Sequence, residues 1–195
     1  TSARYTPANP LKLILPRERI RAPMNILGEG RFVRLLEENG YEYAERLGCT
    51  GIISVVAVTD RDELVFVEQF RPALGCRTIE LVAGLAGDEG PESLEEAARR
   101  ELLEEAGYDA PALQLLMVGP SAGGISTSRV HFYLARGAVK AHDGGGVAGE
   151  DITVHVVPVS EAHAWLQARS QGETLVDPKV FMGIAVAHLG WGHSA

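Results

Sequence analysis

Glu101, Glu104 and Glu105 are the residues with the clearest chemical potential in this chain of 195 residues. They stand in the run Arg100-Glu101-Leu102-Leu103-Glu104-Glu105-Ala106-Gly107. On a helix of about 3.6 residues per turn the three carboxylates share an arc of roughly 100°. Like charges this close cost a helix about 0.2–0.5 kcal/mol per pair. The crowding becomes useful if hard divalent cations sit on that face. Mg²⁺ and Mn²⁺ take oxygen ligands, keep several waters and bridge to phosphate oxygens. Such ions neutralise a diphosphate, position it and acidify a bound water. Taken alone, the three glutamates describe a solvated acidic helix face better than a metal site, because Glu-rich helices are common.

The helix that must carry them is predicted over residues 93–106. Ser93 with Glu96 three residues on forms a capping box, and Gly107 supplies a C-terminal stop. A glycine-bearing loop, from Gly84 to Glu92, leads into it off a short strand predicted over 78–83. Two Val/Ile-rich runs, 51–59 and 63–69, flank Asp60-Arg61-Asp62 and read as paired strands. Asn39-Gly40 between residues 31–37 and 41–46 is a hairpin signal, since both residues tolerate positive φ. Further strands are predicted at 113–118, 130–135 and 152–157, and helices at 160–169 and 178–189, the last opening at Asp177-Pro178. Residues 144–149 form a Gly-rich loop. Residues 1–10 read as a loose arm, and 11–15 and 19–27 as short extended pieces. Mixed strands with separated helices indicate an α/β sandwich, not a regular βαβ repeat. The expected division is a small β unit over residues 1–46 and a main domain over residues 47–195.

An apolar fraction of 46% supports a buried core. The net charge of −8 argues against a nucleic-acid or anionic-membrane binder. It leaves room for an anionic small substrate, because bound cations reverse the local field. Cys49 and Cys76 show no metal-like spacing and read as reduced thiols. No apolar run reaches membrane-spanning length and no signal-like segment opens the chain, so a cytoplasmic location is expected.

Glu92, Arg100, Glu101, Leu102, Glu104, Glu105, Gly107 and Tyr108 fall in a register that resembles the Nudix box, Gly-x5-Glu-x7-Arg-Glu-U-x-Glu-Glu-x-Gly-U, with U a bulky apolar residue. One spacing departs from it: seven residues, not five, separate Gly84 from Glu92. A two-residue insertion ahead of the helix need not move the helix ligands. The resemblance implies a Nudix-type α/β/α sandwich with a mixed sheet. It implies Glu101 and Glu105 as principal ligands of Mg²⁺ or Mn²⁺, Glu104 as a further ligand or support, and the Ala83 carbonyl as an additional ligand. Arg100 would hold the glutamates by charge pairing, and Glu92 would support the loop.

Val67-Glu-Gln-Phe-Arg-Pro72 and Thr78-Ile-Glu-Leu-Val-Ala-Gly84 look like the ADP-ribose and nucleoside-diphosphate-sugar pyrophosphatase branch of that superfamily. The resemblance implies that Arg71 forks a phosphate; a structural carboxylate partner is the other reading. It places Glu80 near ribose or pyrophosphate, against a functionless strand carboxylate. Gly28-Glu-Gly-Arg-Phe32 and Tyr41-Glu-Tyr-Ala-Glu-Arg46 resemble the branch's N-terminal segments. There aromatic side chains sandwich the base and an arginine approaches the diphosphate, places matched by Phe32, Tyr41 and Arg46; hairpin packing is the plain alternative. Branch members are homodimers that exchange these strands, so a homodimer is expected. The stretch from Gly119 to Ala135 resembles the branch with one extra residue, and Ser128 stands where a glutamate is usual.

Water attack on phosphorus needs a base or a metal-held hydroxide. By resemblance it comes from the loop before a late strand, where Glu150 is first choice and Asp151 second. Ala148 occupies a position at which relatives often carry glutamate, and Glu104 could act instead. The implied activity is hydrolysis of a nucleoside diphosphate sugar, foremost ADP-ribose to AMP and ribose 5-phosphate. GDP-mannose or another sugar nucleotide, or a non-catalytic nucleotide-sugar sensor, are the other readings.

Overall fold

Asn39 and Gly40 take φ values of 56° and 78°, the paired positive angles that close a two-residue hairpin. They join β2 (Val33–Glu38) to β3 (Tyr41–Arg46), and β1 (Asn25–Glu29) adds on the other side of β2. These three antiparallel strands form a sheet of their own. The computed structural model describes residues 24–147 and 149–189. The arm at 1–10, the piece at 11–15, the first part of 19–27 and Ala148 lie outside the described residues.

The larger sheet has nine strands. Its centre is β4 (Gly51–Thr59), buried along most of its length, as a Val/Ile run without polar alternation requires. β5 (Glu63–Arg71) returns antiparallel. The single strand expected over 78–83 is two strands, β6 (Cys76–Glu80) and β7 (Val82–Ala86). Leu81 is the break, because β6 pairs with β5 whereas β7 pairs with β4. After the helix α1 (Leu94–Ala106) come β8 (Tyr108–Asp109), β9 (Leu113–Pro120) and β10 (Arg129–Lys140). β10 lies parallel to β4 and antiparallel to β8 and β9. β11 (Ile152–Pro158) runs antiparallel along β5. The helix α2 (Val159–Arg169), a short β12 (Leu175–Val176) beside β6, and the helix α3 (Lys179–Leu189) complete the chain. Asp177 caps α3, its Oδ1 accepting the Lys179 N–H at 2.8 Å.

Alternation along β4 divides the core into two layers. Ile53, Val55 and Ala57 pack with Ala97, Ala98, Leu102 and Ala106 of α1. Val56 and Val58 pack with Leu166 of α2 and Val180 and Ile184 of α3. Helices thus cover both faces of a mixed sheet, the α/β/α sandwich that was expected. Each fully buried Val, Leu or Phe in these layers contributes about 1.5–3 kcal/mol. Among the described residues no helix is long and apolar enough to cross a membrane.

Candidate active site

The capping box of α1 is complete: Ser93 accepts the Glu96 N–H, and the Glu96 carboxylate accepts the Ser93 N–H at 2.8 Å. Gly107 ends the helix in the left-handed region at φ 74°. The buried stripe of this helix is Ala97, Ala98, Leu102, Glu105 and Ala106. The alanines admit the strands closely, and the helical period carries Glu105 into the same stripe.

Glu105 is 5% exposed. Its Oε2 accepts the Ala83 N–H at 3.1 Å. Burial pushes its carboxyl up to about 8; Glu101 and Glu150 add repulsion, while the Ala83 hydrogen bond and Arg71 oppose the rise. Burial likewise pushes Glu101 up to about 7, against the attraction of Arg100. Glu101 lies against the backbone of Gly84, where a Cβ would stand 2.0 Å from its Oε1. That contact explains the glycine at the start of the loop: a side chain there would expel the carboxylate. A solvated acidic face therefore does not describe this helix.

Arg100 fans across the loop–helix unit. Its Nη1 donates to Glu101 and Glu104, both at 3.0 Å, and its Nη2 to Glu92 and the Leu85 carbonyl, both at 3.0 Å. Glu92 also accepts the Gly87 N–H at 3.2 Å. Pairing with Arg100 holds Glu92 below the usual carboxylate range. Arg100 is thus the internal tie of this unit, pairing the glutamates as charge complementarity requires.

Arg71 and Glu80 make a two-pronged pair, Nε to Oε1 at 2.7 Å and Nη2 to Oε2 at 2.6 Å. The Thr78 hydroxyl donates to the same carboxylate. Glu80 is buried and Arg71 part-exposed. The pair walls a cavity of about 380 Å³ with Leu74, Leu175 and Asp177. Arg71 is close enough to Glu105 to be stabilised by its charge.

Glu150 stands at the end of the Gly-rich loop. Gly145 and Gly146 donate their N–H groups to the Glu105 and Glu104 carbonyls at 2.9 and 3.0 Å, which docks the loop on the end of α1. The Glu150 carboxylate accepts the Val147 N–H at 3.0 Å. Its charge reaches Glu105. The fold thus gathers Arg71, Glu80, Ala83, Glu101, Glu105 and Glu150 around one end of the carboxylate helix, with Glu104 on its rim.

The N-terminal residues do not join them within one chain. Phe32 and Tyr41 are 56% and 54% exposed and stand at opposite ends of the hairpin, since Arg46 pairs with Val33 and Tyr41 with Glu38. Five residues at about 3.3 Å each separate those ends by about 17 Å, too far to flank one base. Tyr41 donates to the Gly124 carbonyl. Arg46 lines a separate cavity of about 320 Å³ with Cys49, Thr50, Ser128, Arg129 and His131. Both cysteines are free thiols.

The donor set around Glu105 is oxygen only, and burial holds the Glu105 and Glu101 carboxyls up at about 8 and about 7 for want of compensating positive charge, which fits a hard divalent cation. Among the described residues no three acidic, His or Cys side chains already stand as a closed ligand cage. Arg100 holds Glu101 and Glu104 instead, so a cation would compete with that guanidinium.

A family model described as the NUDIX domain matches residues 50–176. The methanol dehydrogenase activator of Bacillus methanolicus is 32% identical over 111 residues, 56% of this chain and 58% of that protein. A GDP-mannose pyrophosphatase of Salmonella arizonae is 34% identical over 135 residues, covering 65% of this chain and 66% of its own. An ADP-ribose pyrophosphatase of Escherichia coli O157:H7 is 35% identical over 117 residues, 55% of this chain and 54% of that protein. The chain thus spans about half to two thirds of the length of these relatives. A solved structure described as an ADP compounds hydrolase superposes with a TM-score of 0.63 at 19% identity, covering 89% of this chain and 96% of that one. At that identity it speaks for the fold alone.

Proposed function

The chain belongs to the NUDIX family, and on that footing we propose that it hydrolyses the diphosphate linkage of a nucleoside diphosphate sugar, with ADP-ribose cleaved to AMP and ribose 5-phosphate. The observation that carries this reading is Glu105, a buried carboxylate short of positive charge, gathered with Glu101, Arg71 and Glu150. A soluble structural domain gains nothing from that arrangement, which costs stability. A diphosphate hydrolase gains a cation site.

Glu101, Glu105 and the Ala83 carbonyl would hold Mg²⁺ or Mn²⁺, with Glu104 in support. The ion supplies charge neutralisation of the diphosphate and lowers the pKa of water. Arg71 binds a phosphate oxygen with the donors it does not spend on Glu80. Glu80 fixes the plane of that guanidinium, so the fork is presented without reorganisation. Glu150 takes the proton from the attacking water, once its carboxylate leaves the Val147 N–H. Arg100 keeps the glutamates and the Gly84–Glu92 loop in register.

We read the complete site as made by two copies. Arg46 shares a face of the small sheet with Val33 and Leu35, by the pairing of Val33 with Arg46 and Leu35 with Ala44. Val33 and Leu35 are exposed on that face. A second copy covering it would bring Arg46, and Phe32 at the same end of the hairpin, to the diphosphate and base held by the other chain; Tyr41, on the opposite face by alternation, is not carried there with them. The N-terminal β unit, residues 1–46, is then the dimerising and substrate-contacting part.

GDP-mannose is the second reading. Relatives named for it match at 32% to 38% identity, beside 35% for those named for ADP-ribose. Ser128, at a position where a glutamate is usual in the branch, lies in the Arg46 cavity and leaves the sugar end less defined. The deciding experiment is a panel of ADP-ribose, ADP-glucose, GDP-mannose, diadenosine polyphosphates and coenzyme A with Mg²⁺ or Mn²⁺. Fastest metal-dependent release of AMP from ADP-ribose is expected. Cleavage of none of them would turn the protein into a nucleotide-sugar sensor.

A further inference from the structure

Arg77 ties three strands together on the sheet face opposite the glutamates. Its Nε donates to the Glu68 carboxylate at 3.0 Å and its Nη1 to Asp151 at 2.8 Å. Its Nη2 donates to the Glu68 carbonyl at 2.9 Å and reaches Thr153 Oγ1 at 3.3 Å. Glu68 is itself fixed from the other side by His155 Nε2 at 2.7 Å. His155 packs edge-on against Trp165 of α2, with ring centroids 4.9 Å apart. One arginine of β6 therefore reaches across β5 and grips the first residues of β11.

Asp151 follows Glu150 directly. Glu150 thus has a pinned foot on either side of it in the sequence. One foot is Gly145–Gly146, bonded to the α1 carbonyls of Glu105 and Glu104. The other is Asp151, bonded to Arg77. Asp151 is 83% exposed at its side chain, so this ion pair contributes little to global stability. Its effect is local. It removes freedom from the residue next to the candidate base, and a base must stand within hydrogen-bond reach of the proton it takes.

We propose that Arg77 is a positioning residue that holds Glu150 over the carboxylate helix by pinning Asp151. The inference rests on the reading of Glu150 as the base. Arg77 hydrogen-bonds to Glu68, Asp151 and Thr153 and to none of Glu101, Glu104 and Glu105, and it does not line the Arg71 cavity, so its route to the site is through Asp151 and Glu150.

The test is a double-mutant cycle of Arg77→Ala and Glu150→Gln, with kcat and KM for Mg²⁺-dependent ADP-ribose hydrolysis. Amide hydrogen exchange of residues 145–153 is measured on the same proteins without substrate. Arg77→Ala is expected to lower kcat about ten-fold or more with KM changed less than about two-fold, and to speed exchange at 149–151. On the Glu150→Gln background it should lower kcat less than about two-fold. Asp151→Asn, a surface change that keeps the fold, should reproduce the exchange and kcat effects in weaker form. An equal loss of kcat on both backgrounds, or unchanged exchange in Arg77→Ala and Asp151→Asn, overturns the inference. Faster exchange with wild-type hydrolysis unaffected by Glu150→Gln overturns the choice of base and with it the role of Arg77. Faster exchange in a wild type that cleaves no diphosphate overturns the hydrolase reading and leaves only the pinning contact.

Discussion

Glu80 and Glu105 are both buried glutamates near Arg71, and their surroundings differ in kind. Glu80 receives two arginine hydrogen bonds and a threonine hydroxyl. Glu105 receives the Ala83 N–H, and other carboxylates press on it. The first is a closed pair, satisfied within the chain. The second is an open charge, left for something the chain does not supply. A fold tolerates such a group only where the remaining core can offset its cost. Here that core is the two layers on β4. On the proposed function, the difference separates presenting a substrate-binding arginine from holding a cation.

The contrast predicts opposite responses to the same chemical change, and the largest is in rate. Glu105→Gln should cut metal-dependent hydrolysis by about 10³-fold. In metal-free buffer at pH 8 it should raise the melting temperature, because it removes a buried charge; each kcal/mol gained is worth about 2–4 °C in a chain of this size. Equal activity in variant and wild type would remove Glu105 from the ligand set. Glu80→Gln should act the other way on stability. It leaves Arg71 without its counter-charge and should destabilise by about 1–3 kcal/mol, a figure reduced because solvent reaches Arg71. Urea titration of both variants compares the two sites directly.

A smaller effect is expected from pH. The Glu105 and Glu101 carboxyls are raised to about 8 and about 7 from an ordinary 4.5. Between about 4.5 and 8 the folded protein keeps protons that the unfolded chain has released. The contribution of these two groups to stability therefore falls as pH rises through that window. Melting curves in chelator should show this decline, and Mg²⁺ or Mn²⁺ should flatten it. A contribution that rises over the same range, isolated by comparison with a Glu101→Gln, Glu105→Gln double variant, would mean that both carboxylates are compensated within the chain. The smallest intrinsic effect is at the hairpin. If the proposed pairing of two copies holds, Leu35→Lys should leave the fold of the chain intact and shift the protein towards monomer in sedimentation, with loss of the Arg46 contact to the diphosphate reported as raised KM. An unchanged dimer would move the interface elsewhere.

Much of the carboxylate unit was legible in the sequence. Ser93, Glu96 and Gly107 mark α1 because capping is a local property. β4 is legible because a buried strand shows as an unbroken apolar run. The break at Leu81 is not, since it records an exchange of partners between β5 and β4, and partners are set by tertiary packing. β8 and β12, two residues each, are too short to carry a pattern. The Arg71–Glu80 pair was one of two readings of Arg71, and the structure adds that pairing leaves a face of the arginine on a cavity. Glu105 in the buried stripe could be found from its spacing to Ala98 and Leu102, at intervals of seven and three. Arg77 and Glu68 carry no such signal. They are strand residues whose meeting with Asp151 depends on β6, β5 and β11 lying side by side.

The central claim is that Glu105, with Glu101, is kept buried and undercompensated for a divalent cation. Titration of metal-free protein with Mg²⁺ or Mn²⁺ at pH 7, in buffers of different ionisation enthalpy, tests it most directly. A carboxyl raised to about 8 is mostly protonated at pH 7, so binding should expel about one proton or more per site. The expulsion should shrink at pH 9 and in Glu105→Gln. Saturable binding with no proton release at pH 7, or release unchanged in Glu105→Gln, would contradict the account.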